Sequence, residues 1–257
     1  MDDKEIKQTL GTKIFGKIFH NFQTIDSTNI YAKALAQTGG QHGTLVITEE
    51  QTSGRGRMGR IWKSEKGKNL TFSIIVHPTI PSEKFGIISL MAGIAVTETI
   101  QSITGLSVLC KWPNDVLLNR KKVCGILCEG IFPLDKPPVV VIGIGINVNQ
   151  REFPHELRES ATSLLLESGK DFDRTEILGQ VLSSLERWYD ALETGETEKI
   201  ISAWRAQNYL LGKEITIDHN GKHIKGVAGD ISEDGGLLLQ AEGQEIKVIA
   251  GDITIGR

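Results

Sequence analysis

Two apolar runs constrain the fold most: Val123 to Glu129 and Val139 to Asn147. Neither alternates polar with apolar residues. Together with Ser107 to Lys111 they read as strands buried on both faces, hence as the middle of a covered sheet. Further strands are expected at Ile14 to Phe19, at Thr44 to Thr48 and from Asn69 to His77, the last closed by Pro78 and Pro81. Helices fit between them. Asp26-Ser27-Thr28 reads as an N-cap for a helix carrying Ile30, Tyr31, Ala34 and Leu35, stopped by Gly39-Gly40. Ser82 is the expected N-cap of a second helix, which places Phe85, Ile88, Met91, Ala92, Ala95 and Ile100 on one face and ends near Gly105. Thr175 to Leu192 and Glu196 to Leu210 complete the helices.

After Gly212 the texture changes. Glu214 to Asp218, Lys222 to Gly229, Leu237 to Gln240, Glu245 to Ile249 and Asp252 to Ile255 are short β-runs, with turns at Asn220-Gly221, Asp234-Gly235 and Glu242-Gly243. Five short strands in so little chain read as a small barrel. The expected organisation is α/β or α+β, with a mixed-sheet domain over residues 1–210 and a β-barrel over 211–257.

With 257 residues, 39% of them hydrophobic and 24% charged, the chain can bury its own core without staples. Its longest apolar stretches, Gly86 to Val96 and Val139 to Val148, are about half of the ~20 residues of a membrane span. The acidic start Met1-Asp2-Asp3-Lys4-Glu5 is unlike a secretory signal. A cytoplasmic protein with no membrane association is therefore expected. Three cysteines, Cys110, Cys124 and Cys128, lack the further ligands a metal site needs and read as small core residues.

Charge is unevenly placed. Between Gly54 and Lys68, six basic residues face only Glu65, a local +5 on a chain of net −3, which leaves −8 on the rest. That contrast suggests a focused anion site. Within it lies Gly54-Arg55-Gly56-Arg57-Met58-Gly59-Arg60-Ile61-Trp62. Alternating glycines let backbone N–H groups approach an anion, the arginines add planar, permanently charged donors, and Trp62 can cover an apolar part of a ligand. A flexible nucleic-acid-binding segment is the competing reading. The run is neither a dinucleotide fingerprint nor a P-loop, and Gly143-Ile144-Gly145 reads as strand glycine permitting close packing.

A second cluster, Lys111-Trp112-Pro113-Asn114-Asp115, ends a strand with a cation, an amide and a carboxylate. Asp115 and Asn114 suit Mg²⁺, and a turn at Leu118-Asn119-Arg120 lets Lys111 and Lys122 return to one site. Asp26-Ser27-Thr28-Asn29 is a helix cap whose hydroxyls and amide can also meet a ureido group. Asn147 ends a buried strand where it can face a ligand.

These segments together resemble the biotin protein ligases. Gly54 to Trp62 matches the family's G-R-G-R-x-G-R-x-W and Lys111 to Asp115 its K-W-P-N-D; Ser27-Thr28-Asn29, Gln51, Lys122 with Gly125, and Gly143 to Asn147 follow in order. The resemblance runs from about Ile25 to the C-terminus. It implies an α+β fold, in which a mixed-sheet catalytic domain of the biotin/lipoate ligase type carries a small C-terminal SH3-like barrel. It also implies biotin contacts from Ser27, Thr28, Asn29, Gln51, Gly54, Arg55, Gly56, Arg57, Lys122 and Gly125. ATP contacts are implied for Arg57, Arg60, Trp62, Lys111, Asn114 and Asn147, a Mg²⁺ contact for Asp115, and catalytic roles for Lys111, Lys122 and Arg57. The implied substrates are biotin and ATP, and the implied partner is a biotin carboxyl carrier protein.

Met58 stands where many members have arginine. Only 26 residues precede Ser27, fewer than the winged helix of the repressor members needs, so the short form without DNA binding is expected. Free strand edges allow a homodimer. The implied chemistry is adenylation of biotin and transfer to a lysine, with the Gly/Arg loop closing over the adenylate. A lipoate or octanoate ligase shares the fold and the adenylating step, but is not expected to carry both motifs.

Overall fold

The computed structural model describes residues 1–219 and 222–255. A seven-stranded sheet runs in the order β1-β2-β3-β7-β6-β5-β4. Its strands are β1 Phe19–Phe22, β2 Leu45–Thr48, β3 Leu70–Val76, β4 Val108–Lys111, β5 Asp115–Leu118, β6 Lys121–Ile131 and β7 Val139–Ile146. Only β1 and β2 pair in parallel; the other ladders are antiparallel, so the sheet is mixed. Of the three strands expected to be doubly buried, two sit side by side as β6 and β7, where every residue of β7 and the middle of β6 are buried; the third, β4, is instead the edge of the sheet and buries only alternate residues.

The two faces of the sheet are covered unequally. On one side lie α3 Gly86–Thr104, α5 Arg174–Glu193, with the short α1 Asp3–Thr9 against it, and α6 Thr197–Ala206, packed with Phe72, Ile74, Ile142, Ile144 and Ile146 into one large core. On the other side lies α2 Thr28–Gln37, over a small cluster of Ala32, Val46, Ile75, Val139 and Val141. The segment Ser82–Thr104 is long and apolar enough to cross a membrane, but most of it is buried in the large core, which accounts for its composition.

The small cover on the α2 side has a consequence that follows from the strand register. Ile75 pairs with Val141, Ser73 with Gly143 and Thr71 with Gly145; on β6, Glu129, Leu127 and Gly125 lie opposite Val141, Gly143 and Gly145. Because side chains alternate with period two, all these residues share one face. That face is apolar beneath α2 and becomes polar and glycine-lined beyond it. A floor for a ligand is thus written into three adjacent strands.

The C-terminal strands β8 Glu214–His219, β9 Lys222–Ile231, β10 Leu237–Ala241, β11 Gln244–Val248 and β12 Asp252–Ile255 form an antiparallel sheet of order β11-β10-β9-β8-β12, the last strand returning to pair the first. Its turn at Gly235 (φ +85°) docks against the start of α3, where a Cβ on Gly86 would meet the Asp234 carbonyl at 2.5 Å. The buried Trp112 donates its indole N–H to Gly235 O at 2.9 Å, joining the two sheets.

Several expectations shift. Residues 14–18 are not a strand, and β1 begins at Phe19. The backbone N–H groups of Lys13, Ile14 and Phe15 are taken by the Glu186 carboxylate at 2.6–2.8 Å, which removes them from any ladder. The second helix is capped at Phe85 rather than Ser82, after a 3₁₀ turn over Ser82–Lys84, and is buried on more than one face. Strand β5 was not expected; it pairs back across Lys111 and leads into the Asn119-Arg120 turn, where both residues have positive φ. The expected Asn220-Gly221 turn lies outside the described residues. The Glu242-Gly243 turn is present, with both residues at positive φ.

Candidate functional site

The glycine-lined end of the sheet opens into a cavity of about 900 Å³. Its floor is β3, β6 and β7, its roof the Gly/Arg loop, and its far wall the β12 end of the second sheet. Every residue singled out from the sequence lines it, with one exception: Ser27, Thr28, Asn29, Gln51, Arg55, Gly56, Arg57, Arg60, Trp62, Lys111, Asn114, Asp115, Lys122, Gly125 and Asn147. Gly54 does not. It is buried behind the lining, where a Cβ would meet Trp62 O at 2.3 Å, so its part is to let the two arms of the loop cross.

The floor is assembled by absence of side chain. A Cβ on Gly143 would lie 2.0 Å from Asn29 Oδ1, and one on Gly145 would lie 2.4 Å from the Trp62 ring. A Cβ on Gly125 would lie 3.1 Å from that ring. Trp62 therefore lies on the sheet itself, with its indole N–H buried and without an acceptor. At the α2 end, Gln51 Oε1 accepts from Thr28 N at 2.8 Å and lies 3.1 Å from Thr28 Oγ1. This turns the Gln51 amide so that its N–H₂ is the free end.

The roof is built differently. Gly56 N donates to Arg60 O, an isolated bridge joins Arg55 to Ile61, and Met58 (φ +53°) and Gly59 (φ +74°) turn the chain between them. Met58 itself is 63% exposed and is not part of the cavity lining. Arg57 Nη1 donates to Asn114 Oδ1 at 3.2 Å, and Asn114 Nδ2 in turn donates to Ile126 O at 2.8 Å. Asn114 thus holds an arginine of the roof to a strand of the floor. Arg60 pairs with Asp252 of β12.

The cationic groups converge. Lys122 Nζ lies 2.6 Å from Asp115 Oδ1 and 5.8 Å from the Trp62 ring centre, and Lys111 Nζ donates to Ile253 O at 3.3 Å. Burial pushes both the Arg57 guanidinium and the Lys111 ammonium below their ordinary values, with nearby carboxylates, Asp115 among them, opposing the shift. Seven cationic side chains line the cavity against four acidic ones. Partly buried cations in excess of their partners are a standing demand for an anion.

Sequence reasoning missed the segment between β7 and α4 Leu164–Ser168, of which Gln150, Phe153, Leu157 and Ser160 line the cavity. Asn147 ties it down, donating to Thr162 O at 3.0 Å. It also missed Asp252, whose one hint was an acidic residue opening the last strand. Cys110 is packed, with burial pushing its thiol up to about 12, as expected of a core cysteine.

The sequence profile of the biotin/lipoate A/B protein ligase family matches residues 21–147, and that of the biotin protein ligase C-terminal domain matches residues 210–256. The chain is 36% identical over 258 residues to the bifunctional ligase/repressor BirA of Bacillus spizizenii, covering 100% of this chain and 79% of the relative. It is 34% identical over 242 residues to the biotin–[acetyl-CoA-carboxylase] ligase of Mycobacterium tuberculosis, covering 89% and 85%. Among solved structures it is similar to the Aquifex aeolicus biotin protein ligase in complex with biotin and ATP, with TM-score 0.81 and 32% identity over 94% of this chain and 99% of that one. With its sheet order, its glycine floor, its cationic roof and these relatives in agreement, the chain belongs to the biotin protein ligase family.

Proposed function

We propose that this chain activates biotin with ATP to biotinyl-AMP and transfers the biotinyl group to a lysine of a biotin carboxyl carrier protein. The observation that carries the reading is the continuity of one cavity: a polar pocket at the α2 end suited to a neutral ureido head runs into a cluster of partly buried cations suited to a carboxylate and phosphates. We read residues 1–210 as the catalytic unit and 211–257 as a small barrel of the SH3-like kind that completes the nucleotide end through Asp252 and Ile253.

In the first step the biotin carboxylate attacks the α-phosphorus of ATP and pyrophosphate leaves. Two anions must meet, so the protein's contribution is positioning and charge neutralisation. Ser27, Thr28, Asn29 and Gln51 seat the head group, with Arg55 and Gly56 above it. Lys122, held beside Gly125, meets the carboxylate; Arg57, Arg60 and Lys111 meet the phosphates, and Trp62 and Asn147 bound the nucleotide. In the second step the carrier lysine attacks the mixed anhydride and AMP leaves. Loop closure over the adenylate keeps water from that bond.

Mg²⁺ accompanies ATP in this reading. The fit rests on Asp115, whose Oδ1 is buried and has no hydrogen bond of proper geometry despite its approach to Lys122. No group of three or more His, Cys, Asp or Glu side chains among the described residues can hold a metal, which suits an ion carried by phosphates with one protein carboxylate. When bound there it supplies further neutralisation of phosphate charge. We read the cytoplasm, where ATP and carboxylase carriers are available, as the compartment of this activity. The β1 edge of the sheet allows, without demanding, a homodimer.

Incubation with biotin, ATP and a biotin carboxyl carrier domain, followed by mass analysis of the carrier, tests the reading. A biotinyl adduct on one carrier lysine is expected, and an unmodified carrier contradicts it.

A further inference from the structure

A chain of polar side chains runs from Thr28 and Asn29 in the cavity lining to Ser73 and Glu129 behind it. Asn29 Nδ2 faces two acceptors, Leu127 O at 3.1 Å and Glu129 Oε2 at 2.9 Å, so the orientation of this amide is settled. Its Oδ1 must then accept, and Ser73 Oγ lies 2.6 Å away. The single Ser73 hydrogen belongs to that contact. Ser73 Oγ is also 2.7 Å from Thr28 Oγ1, which leaves Thr28 as the donor there. Gln51 Oε1 keeps a second lone pair toward Thr28 Oγ1, but at 3.1 Å it is the farther acceptor, so the Thr28 hydrogen goes to Ser73.

We propose that Ser73 and Glu129 are positioning residues that fix the donor direction along Glu129–Asn29–Ser73–Thr28, so that Thr28 offers the cavity only lone pairs and selects a head group bearing an N–H. Next to it the Gln51 amide offers only donors, so the pair reads an N–H beside a carbonyl. Glu129 anchors the direction because a carboxylate only accepts, and Lys33 Nζ at 2.7 Å holds it ionised. Burial pushes the Glu129 carboxyl up, but the Lys33 and Asn29 hydrogen bonds outweigh it and leave it below the ordinary carboxylate range. Ser73 is fully buried and is not part of the cavity lining. Gly143 completes the device, since any side chain there would displace Asn29.

The inference rests on the biotin ligase reading and deepens it. It predicts discrimination against an acid whose head presents oxygen where biotin presents N–H, because two sets of lone pairs would then face each other in a buried site.

The test is calorimetric binding of biotin and of its cyclic carbonate analogue, in which both ureido N–H groups are oxygen, to the full chain and to Ser73→Ala. The unaltered protein should prefer biotin by a hundredfold or more. In Ser73→Ala the Thr28 hydrogen loses its nearer acceptor and is divided between Gln51 Oε1 and the cavity, so biotin should weaken about threefold while the analogue binds as well or better. Glu129→Gln, which keeps the side chain's size, should shift the same ratio in the same direction by a smaller factor. A parallel loss of both ligands, or an unchanged ratio in both variants, overturns the proposal and leaves the ligase reading standing. No binding of biotin to the unaltered protein overturns both.

Discussion

The floor and the roof of the cavity face the same ligand but are made in opposite ways. The floor is three adjacent strands whose backbone is locked in ladders and whose Ser73 and Glu129 side chains are already bonded to α2, with Thr71 Oγ1 buried and left without a partner. The roof is a turn held by a few bonds, with Met58 in a left-handed conformation and its arginines tied to whichever carboxylate or amide is near. The difference separates two tasks. Reading a neutral head group needs fixed donor and acceptor directions, which only a preorganised surface supplies. Neutralising charge that appears during reaction needs cations that can leave their resting partners, which suits a loop.

The contrast can be broken or sharpened by experiment, beginning with the roof. Arg57→Ala should slow adenylation by about a hundredfold or more, roughly 3 kcal/mol, with little change in urea stability. A large stability loss would show that the roof is structural. Gly143→Ala should do the reverse, costing about 2 kcal/mol of folding stability and biotin binding with it, because its Cβ would press on an Asn29 held by three bonds. Gly145→Ala presses instead on Trp62, which belongs to the roof and can move, so its urea midpoint should fall less than that of Gly143→Ala. Equal losses at the two glycines would erase the distinction.

Acid separates the regions more gently. Glu49, Glu129 and Glu186 are all held below their ordinary values against the opposing effect of burial: Glu49 by Arg174 and the N-terminal ammonium, Glu129 by Lys33 and Asn29, Glu186 by backbone N–H groups. The folded chain then binds fewer protons than the unfolded one, so this stabilisation is complete above the unfolded carboxylate value near pH 4.3 and is lost as pH falls through the lower folded values. Urea midpoints measured from pH 6 down to 3 should show it, and Glu129→Gln should flatten the curve. The smallest effect is expected at Asp252→Asn, which frees Arg60. This is a solvent-screened pair, with Arg60 two-thirds exposed, and its loss should change stability by less than about 1 kcal/mol.

Much of this was legible from the chain. The two apolar runs are the central pair β6 and β7, the Gly/Arg segment and Lys111 to Asp115 line one cavity, and Lys111 and Lys122 do return to it across the Asn119-Arg120 turn. What escaped reading depends on register. Ser73 and Thr71 were polar residues at period two within an apolar strand, a visible sign of a polar face, but their partners on β6 and β7 follow only from which residues pair. Residues 14–18 have strand composition, yet a single distant carboxylate, Glu186, takes the N–H groups of Lys13, Ile14 and Phe15, and Lys17 N turns back to Ile14 O. Gly54 carries the motif's spacing but serves packing, a distinction that composition does not make.

The most direct test of the account is Mg²⁺-dependent ATP–pyrophosphate exchange, run separately with biotin, with lipoate and with no acid. Exchange with biotin alone is the predicted result. Exchange with lipoate but not biotin would keep the cationic roof and contradict the reading of the floor, and no exchange with either acid would contradict the ligase mechanism itself.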